Sequence, residues 1–309
     1  MNNSVSYQEL FDPDFLNSLA HLSMTVRRVA GGGRYGERLS RDMGTGVEFK
    51  DFRPYAKGDD LRSIDWNIYR RLGKVFIRLF DEQQDMPLYF MPDISESMFL
   101  SEKAHGGASS TRALAAFRAV LALTAVTTNH HDSAGLFPFG KQLQVVLKSK
   151  TGKASLMAFA RHMSQLQPQS QSNLVQSLKK MASMNMRPGV LVIVSDFFLA
   201  DGLQELATAL RSVRHKLLFI QVTRKLDSDP RLQADLNGEV RLTDCESGEF
   251  ADIAITPQIV ARYQQAYKQF NEELSGIAAS NRAGLLQLDA DENVVEQLSV
   301  LFQSGSLSV

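Results

Sequence analysis

The sequence has one cysteine, Cys245, one tryptophan, Trp66, and no excess charge of either sign. A single thiol excludes an internal disulfide and any zinc or iron–sulfur centre held by several cysteines, and it fits a reducing compartment. Thirty-four basic side chains cancel thirty-four acidic ones, so net charge points neither to nucleic acid nor to anionic lipid as a partner. No stretch approaches the ~18 consecutive apolar residues of a membrane span. Met1 to Asp14 carry acids and no apolar run, unlike a secretory leader. These absences together predict a cytoplasmic chain with no membrane insertion.

Catalytic signatures are missing as well. The chain has no Walker lysine motif, no GxSxG elbow and no HExxH spacing among its six histidines, so ATP hydrolysis would have to come from elsewhere. Gly31-Gly32-Gly33-Arg34-Tyr35-Gly36 satisfies GxGxxG, but it follows a helix-like segment and lacks a surrounding βαβ unit, which reads as a joint. His130-His131 falls at a helix end, where positive charge suits the dipole.

What is present is enough for a large core: 309 residues, 44% of them hydrophobic, an ordinary globular composition. Charge is unevenly spread, with thirteen basic and seven acidic residues from Arg27 to Arg78 but five and fourteen from Asp227 to Glu296. That asymmetry predicts two faces of opposite sign, or a docking patch.

Residues 1 to 85 read as an N-terminal arm. Helical spacing of Phe15, Leu19, Leu22 and Val26 leads into the glycines and then a polar, charged stretch up to Trp66. Residues 86–309 alternate strand and helix. Strands are expected at Val75–Phe80, Leu88–Met91, Ala134–Phe139, Leu143–Leu147, Val190–Val194, Leu217–Val222 and Leu285–Leu288, with a hairpin over Glu239–Ile253. Helices are expected over Thr111–Thr128, Lys153–Gln165, Asn173–Met184, Leu203–Val213, Pro257–Ala279 and Asp291–Phe302. Such alternation predicts an α/β, Rossmann-like fold: a mostly parallel sheet with helices on both faces.

Ligands of open α/β sheets bind beyond the carboxyl ends of the strands. Two strand ends here carry oxygen ligands. One runs into Asp93-Ile94-Ser95-Glu96-Ser97 and the other into Ser195-Asp196. Alternation sets Asp93, Ser95 and Ser97 on one side of a short loop, where a carboxylate and two hydroxyls suit Mg²⁺ or Mn²⁺. The same residues also suit plainer roles: a Ser/Asp turn, Ser172 as the N-cap of the next helix, and Asp196 as a cap after its strand.

The Asp93–Ser97 segment resembles the DxSxS metal-ion-dependent adhesion site of von Willebrand factor A domains. That resemblance implies Ser95 and Ser97 as direct ligands, Asp93 acting through water or hydrogen bonds, and Asp196 as the acid of the later strand. Ser172, with Ser170 as fallback, stands where the pattern has a threonine.

A longer match begins at Glu48-Phe49 and continues from Arg53-Pro54-Tyr55-Ala56-Lys57-Gly58-Asp59-Asp60-Leu61-Arg62-Ser63-Ile64-Asp65-Trp66-Asn67. It resembles the hallmark of the bacterial family called domain of unknown function fifty-eight, whose members carry this box ahead of a von Willebrand-like domain. Asp132-Ser133-Ala134-Gly135, Val194-Ser195-Asp196-Phe197 and Asp244-Cys245-Glu246-Ser247-Gly248-Glu249 resemble its other recurring segments, so the likeness spans roughly residues 30 to 255. It implies a MoxR-type AAA+ ATPase as partner.

Physically, Arg53, Asp59, Asp60, Arg62 and Asp65 form a segment whose guanidinium–carboxylate pairs can lock a loop, with Tyr55 and Trp66 as packing anchors. The expectation is a non-enzymatic adaptor that presents Mg²⁺ to a carboxylate on an unknown client or on the ATPase. The alternatives are a metal-dependent, phosphatase-like hydrolase with Asp93 as nucleophile and a charge-driven docking module with no metal. Ser95 stands where the hydrolase would want its second acid, and the basic arm interleaves acids and lacks the aromatic set of a nucleic-acid binder.

Overall fold

A computed structural model describes residues 4–32, 48–81, 86–100, 111–129, 132–152, 154–229, 238–246 and 248–303. The glycine motif beyond Gly32, His130-His131 and the side chain of Val26 lie outside the described residues. The chain divides into two compact units, one of residues 1–29 with 86–309 and one of residues 30–85.

The chain begins with α1 (Tyr7–Leu10) and α2 (Pro13–Gly32). Ser6 and Glu9 close a capping box on α1, with Ser6 Oγ accepting from Glu9 N at 3.2 Å and Glu9 Oε2 accepting from Ser6 N at 2.7 Å. Leu10, Phe15, Leu19 and Leu22 are buried in the core of the large unit. The expected arm over 1–85 is therefore divided: its first helices join the α/β unit, and residues 30–85 stand as a unit of their own. Helical spacing marks an apolar stripe but not what covers it.

In the small unit, β1 (Glu48–Pro54) and β2 (Phe76–Asp81) pair antiparallel, and α3 (Trp66–Leu72) lies between them in sequence. Arg53 forks onto Asp59 with bonds of 2.9 and 2.7 Å. Asp65 caps α3 through Oδ1, which accepts from Asn67 N at 2.8 Å and Ile68 N at 3.1 Å. Ile64 and Ile77 are the buried apolar pair. Trp66 is no packing anchor, being 58% exposed and edge-on to Tyr69, while Tyr55 is half-buried. Trp66 opens the helix that Asp65 caps, and Ile64 and Ile77 are buried while it stays exposed.

In the large unit come β3 (Leu88–Pro92), α4 (Glu96–Phe99), α5 (Arg112–Asn129), β4 (Ala134–Leu136), β5 (Leu147–Lys150) and α6 (Ala154–Met163). After these come α7 (Leu174–Ser183), β6 (Val190–Ser195), α8 (Leu203–Leu210), β7 (Lys216–Thr223) and α9 (Lys225–Ser228). The chain continues through β8 (Gly238–Thr243), β9 (Phe250–Ile255), α10 (Pro257–Ser280), β10 (Gly284–Asp289) and α11 (Val294–Gln303). Six strands form one sheet in the order β10-β7-β6-β3-β4-β5, parallel except for the β4–β5 edge pair. β8 and β9 form the expected hairpin, which is a separate two-stranded sheet.

Alternation along the strands feeds two cores. Leu88, Phe90, Val192, Val194, Leu218 and Ile220 pack with α5, α6 and α11 on one face. Tyr89, Met91, Leu191, Ile193 and Phe219 pack with α7, α8 and α10 on the other. Every residue of β6 is buried, which is why its apolar run is continuous and not alternating.

α5 differs from its sequence expectation in how far burial wraps it. Phe117 and Leu121 are fully buried and Leu114 and Ala125 only partly, but Ala113, Ala116 and Val120 are fully buried too. Its neighbours are the sheet on one side and α1, α4, α6 and α11 on others. Thr124 and Thr127 tolerate this by donating back to the Val120 and Leu123 carbonyls, each at 2.7 Å.

Candidate functional site

β3 and β6 are hydrogen-bonded neighbours, yet the chain runs from β3 through β4 to β5 on one side and then crosses back to β6 on the other. Strand order thus reverses between them, and the crevice beyond their carboxyl ends is where an α/β sheet binds its ligands. Asp93 follows β3, and its amide donates to the Val194 carbonyl at 2.8 Å, extending the ladder toward Ser195 and Asp196.

Asp93 is 1% exposed. Its Oδ1 accepts from Ser95 N at 2.9 Å, and its Oδ2 accepts from Ser195 Oγ at 2.7 Å and Ser172 Oγ at 3.0 Å. Ser95 Oγ and Ser97 Oγ lie 3.0 Å apart beside it. The structure therefore joins Asp93, Ser95, Ser97 and Ser172 into one hydrogen-bonded cluster.

Ser172 reaches the cluster because its loop is sewn to the first. Gln169 N donates to the Ile94 carbonyl at 2.8 Å, Glu96 N to the Gln169 carbonyl at 2.9 Å, and Asn173 N to the Gly140 carbonyl at 2.9 Å. A Cβ on Gly140 would sit 2.7 Å from Gln169 Oε1, so glycine is what lets this loop close. Asn173, not Ser172, caps α7, its side chain accepting from Gln176 N at 3.0 Å. The Ser172 hydroxyl is thereby left to Asp93, while Ser170 is exposed.

On β6 the turn after Ser195 is tight. Phe197 takes a left-handed φ of 62°, which costs a bulky residue on the order of 1 kcal/mol or more. That turn lets Phe197 N donate to Ser195 Oγ at 3.0 Å and Phe198 N to Asp196 Oδ1 at 3.1 Å. Asp196 does not cap α8, whose N-cap is Gly202.

Burial raises the Asp93 carboxyl above the usual range, against the pull of its bonds from Ser195, Ser95 and Ser172. Asp196 is pushed up to about 7, first by burial and then by the charge of Asp93, with Phe198 N and Arg112 acting the other way. Arg112 is itself committed to Asp227, whose second oxygen accepts from Arg224 N at 2.8 Å. Two buried carboxylates that feel each other's charge carry a cost that a cation would offset. Among the described residues no three His, Cys, Asp or Glu side chains converge as a metal cage. The oxygens gathered at Asp93 are mainly hydroxyls. Ser95, Ser97 and Ser172 with Asp93 and Asp196 are a hard-oxygen set of the kind that could hold Mg²⁺ or Mn²⁺.

Two further groups belong to the site. Ser195 shares Asp93 Oδ2 with Ser172; the sequence placed it beside Asp196 in a segment that resemblance marked, without giving it a role. Glu246 comes from the turn between β8 and β9: Ser97 Oγ donates to its Oε1 at 3.2 Å and Ser172 N to its Oε2 at 3.4 Å. It lies 149 residues from Ser97, in a segment that resemblance marked without giving it a role. Burial raises its carboxyl as well. Beside the cluster opens a cavity of about 610 Å³ whose wall includes Ser97, Asp196, Phe198, Cys245, Glu246 and Phe270.

Comparison with known proteins gives the family described as "Protein of unknown function DUF58", matched over residues 51–273. The uncharacterized proteins Rv1480 of Mycobacterium tuberculosis and Mb1516 of Mycobacterium bovis are each 24% identical over 292 residues, covering 92% of this chain and 88% of theirs. Among solved structures, the conserved hypothetical protein BatB from Bacteroides thetaiotaomicron is similar with a TM-score of 0.44 and 13% identity, over 72% of this chain and 100% of that one. The PilB minor pilin from Streptococcus sanguinis gives 0.40 and 11%, over 75% and 63%. No helix among the described residues is long and apolar enough to cross a membrane.

Proposed function

This chain belongs to the DUF58 family, and from that premise we propose that it is a non-enzymatic adaptor whose Asp93 cluster holds a divalent cation for a partner's carboxylate. The observation that carries the reading is the Asp93 carboxylate, buried and gripped by Ser95 N, Ser172 Oγ and Ser195 Oγ at the switch point, with Ser95 and Ser97 hydroxyls beside it. Bound Mg²⁺ or Mn²⁺ would supply an open coordination position that a carboxylate can take from water. Ser95, Ser97 and Ser172 would hold the cation, Asp196 would contribute its charge, and Asp93 would orient the hydroxyls. The partners fitting the sequence resemblance are a MoxR-type AAA+ ATPase and a protein client.

The hydrolase reading finds less support. Both oxygens of Asp93 are occupied by donors and the residue is buried, whereas a nucleophilic carboxylate needs a face open to its substrate.

The test is capture of a MoxR-type AAA+ ATPase by purified protein with Mg²⁺, with chelator, and with Ser97→Ala. Chelation and the substitution are expected to weaken capture alike without unfolding the chain. Equal capture in all three conditions would favour charge-driven docking with no metal, and turnover of a phosphate ester abolished by Asp93→Asn would favour the hydrolase.

A further inference from the structure

We infer that Glu246 is a carboxylate ligand built into the chain, held by the β8–β9 hairpin on the hydroxyl cluster in the place a partner's carboxylate would take. The inference rests on the cation reading above and adds to it that the site is self-occupied until the hairpin withdraws.

Contact is the first support. Each Glu246 oxygen faces a different part of the cluster, Oε1 toward the Ser97 hydroxyl and Oε2 toward the Ser172 amide. These two residues come from separate loops, and Glu246 bridges them from outside. A carboxylate set against two proposed ligand residues is positioned as a partner's acid would be.

The turn that carries it is built, not incidental. Asp244 Oδ1 accepts from Glu246 N at 2.8 Å, Asp244 N donates to the Glu249 carbonyl at 2.8 Å, and Gly248 N donates to the Asp244 carbonyl at 2.9 Å. Gly248 takes a φ of 73°, which favours glycine. Below the turn the strands pair in unbroken register from Thr243↔Phe250 to Gly238↔Ile255, and Arg241 forks onto Asp252 with bonds of 2.7 and 2.9 Å. The presentation of Glu246 is thus fixed within the hairpin itself.

The hairpin's own attachment is slight. It is not hydrogen-bonded into the six-stranded sheet, and no residue of either strand is buried. Segments with few buried contacts are those that open at low free-energy cost. A tethered carboxylate acts at an effective concentration of roughly millimolar order, so it excludes weak external acids while yielding to a partner that also engages the exposed hairpin or the cavity behind it. Asp244, Cys245 and Glu246 form one wall of that cavity, so withdrawal of the turn would free the cation's outer face and widen the cleft together.

Mn²⁺ alone is the probe, used on the full chain. Titration with Mn²⁺ followed by water-proton relaxation reports both affinity and the number of waters on the bound ion. With Glu246→Gln, which keeps the side chain's shape, affinity is expected to fall at least about tenfold, as for other losses around a metal. Relaxation enhancement per bound ion is expected to rise, because water replaces the lost carboxylate. In parallel, Mg²⁺ should slow amide exchange in the hairpin of the unaltered chain and leave that of Glu246→Gln and Glu246→Ala unchanged. If Ser97→Ala loses Mn²⁺ while Glu246→Gln matches the unaltered chain in affinity, relaxation and exchange, the cation site stands and the built-in ligand is overturned. If the unaltered chain binds no Mn²⁺, the cation reading fails and this inference with it.

Discussion

Ser195 Oγ donates to Asp93 Oδ2 at 2.7 Å, a bond between residues 102 apart that joins the ends of adjacent strands β3 and β6 inside the buried site. Ser195 is 0% exposed and also accepts from Phe197 N at 3.0 Å, so one hydroxyl both steadies the carboxylate and fixes the turn bearing Asp196. Ser195→Ala removes a donor to a buried acid and leaves a buried amide unmatched. A loss of about 2 kcal/mol in chemical denaturation is expected, and a change below roughly 0.5 kcal/mol would mean the bond contributes nothing net.

The raised Asp196 pKa sets a pH dependence for the metal-free protein. Its folded value of about 7 lies above the ordinary 3.8, so the folded state holds this proton more tightly than the unfolded state. The stability it contributes is complete below the unfolded value and is lost as pH rises through about 7. In chelator, the melting temperature of the unaltered protein relative to Asp196→Asn should fall by several degrees from pH 5.5 to pH 8. His215, whose pKa burial lowers, acts in the opposite sense, and the comparison with Asp196→Asn removes it. Stabilisation by Mg²⁺ should grow over the same interval, and parallel curves for the two proteins would contradict the assignment.

Gly140→Ala probes the seam between two loops. Its new Cβ would press on Gln169, an overpacking expected to cost about 1–3 kcal/mol. Because Gln169 is bonded to Ile94 and Glu96 and precedes Ser172, calorimetric Mg²⁺ affinity should fall as well. Unchanged affinity beside a lowered melting temperature would confine Gly140 to folding.

In the small unit, Asp65 acts as a helix cap, and Arg53 pairs with Asp59 instead of with it. Asp65→Ala should therefore cost about 1 kcal/mol, as lost caps do, and less than breaking a fully buried ion pair. A loss near 3 kcal/mol would indicate that Asp65 also acts as half of a buried ion pair, its nearest cation being Arg78 Nε at 3.8 Å.

Local pattern made much of this fold readable. The apolar run from Val190 to Val194 announced a strand covered on both faces, and the structure buries all of β6. The hairpin and the long helix after Pro257 follow from turn residues and helical spacing. What failed to show depends on distant neighbours. Phe15, Leu19 and Leu22 formed an evident stripe, but nothing in it told that it would join the core that α5 fills. Trp66 had the bulk of an anchor, and the structure leaves it exposed at the start of α3. Asp93, Ser95 and Ser97 were legible because one loop carries all three. Glu246 was not, since its contact with Ser97 spans 149 residues.

β7 and β10 are adjacent in the sheet, although residues 224–283 separate them in sequence. The hairpin, α9 and α10 are thus an excursion between two strands whose pairing runs unbroken from Gly284↔Leu218 to Asp289↔Thr223. Changes of length or composition in the hairpin leave that register alone, and they reach the serine cluster only through Glu246, which meets Ser97 and Ser172. Relatives sharing the same sheet can therefore diverge in which acid, if any, the hairpin sets against the site without altering that pairing.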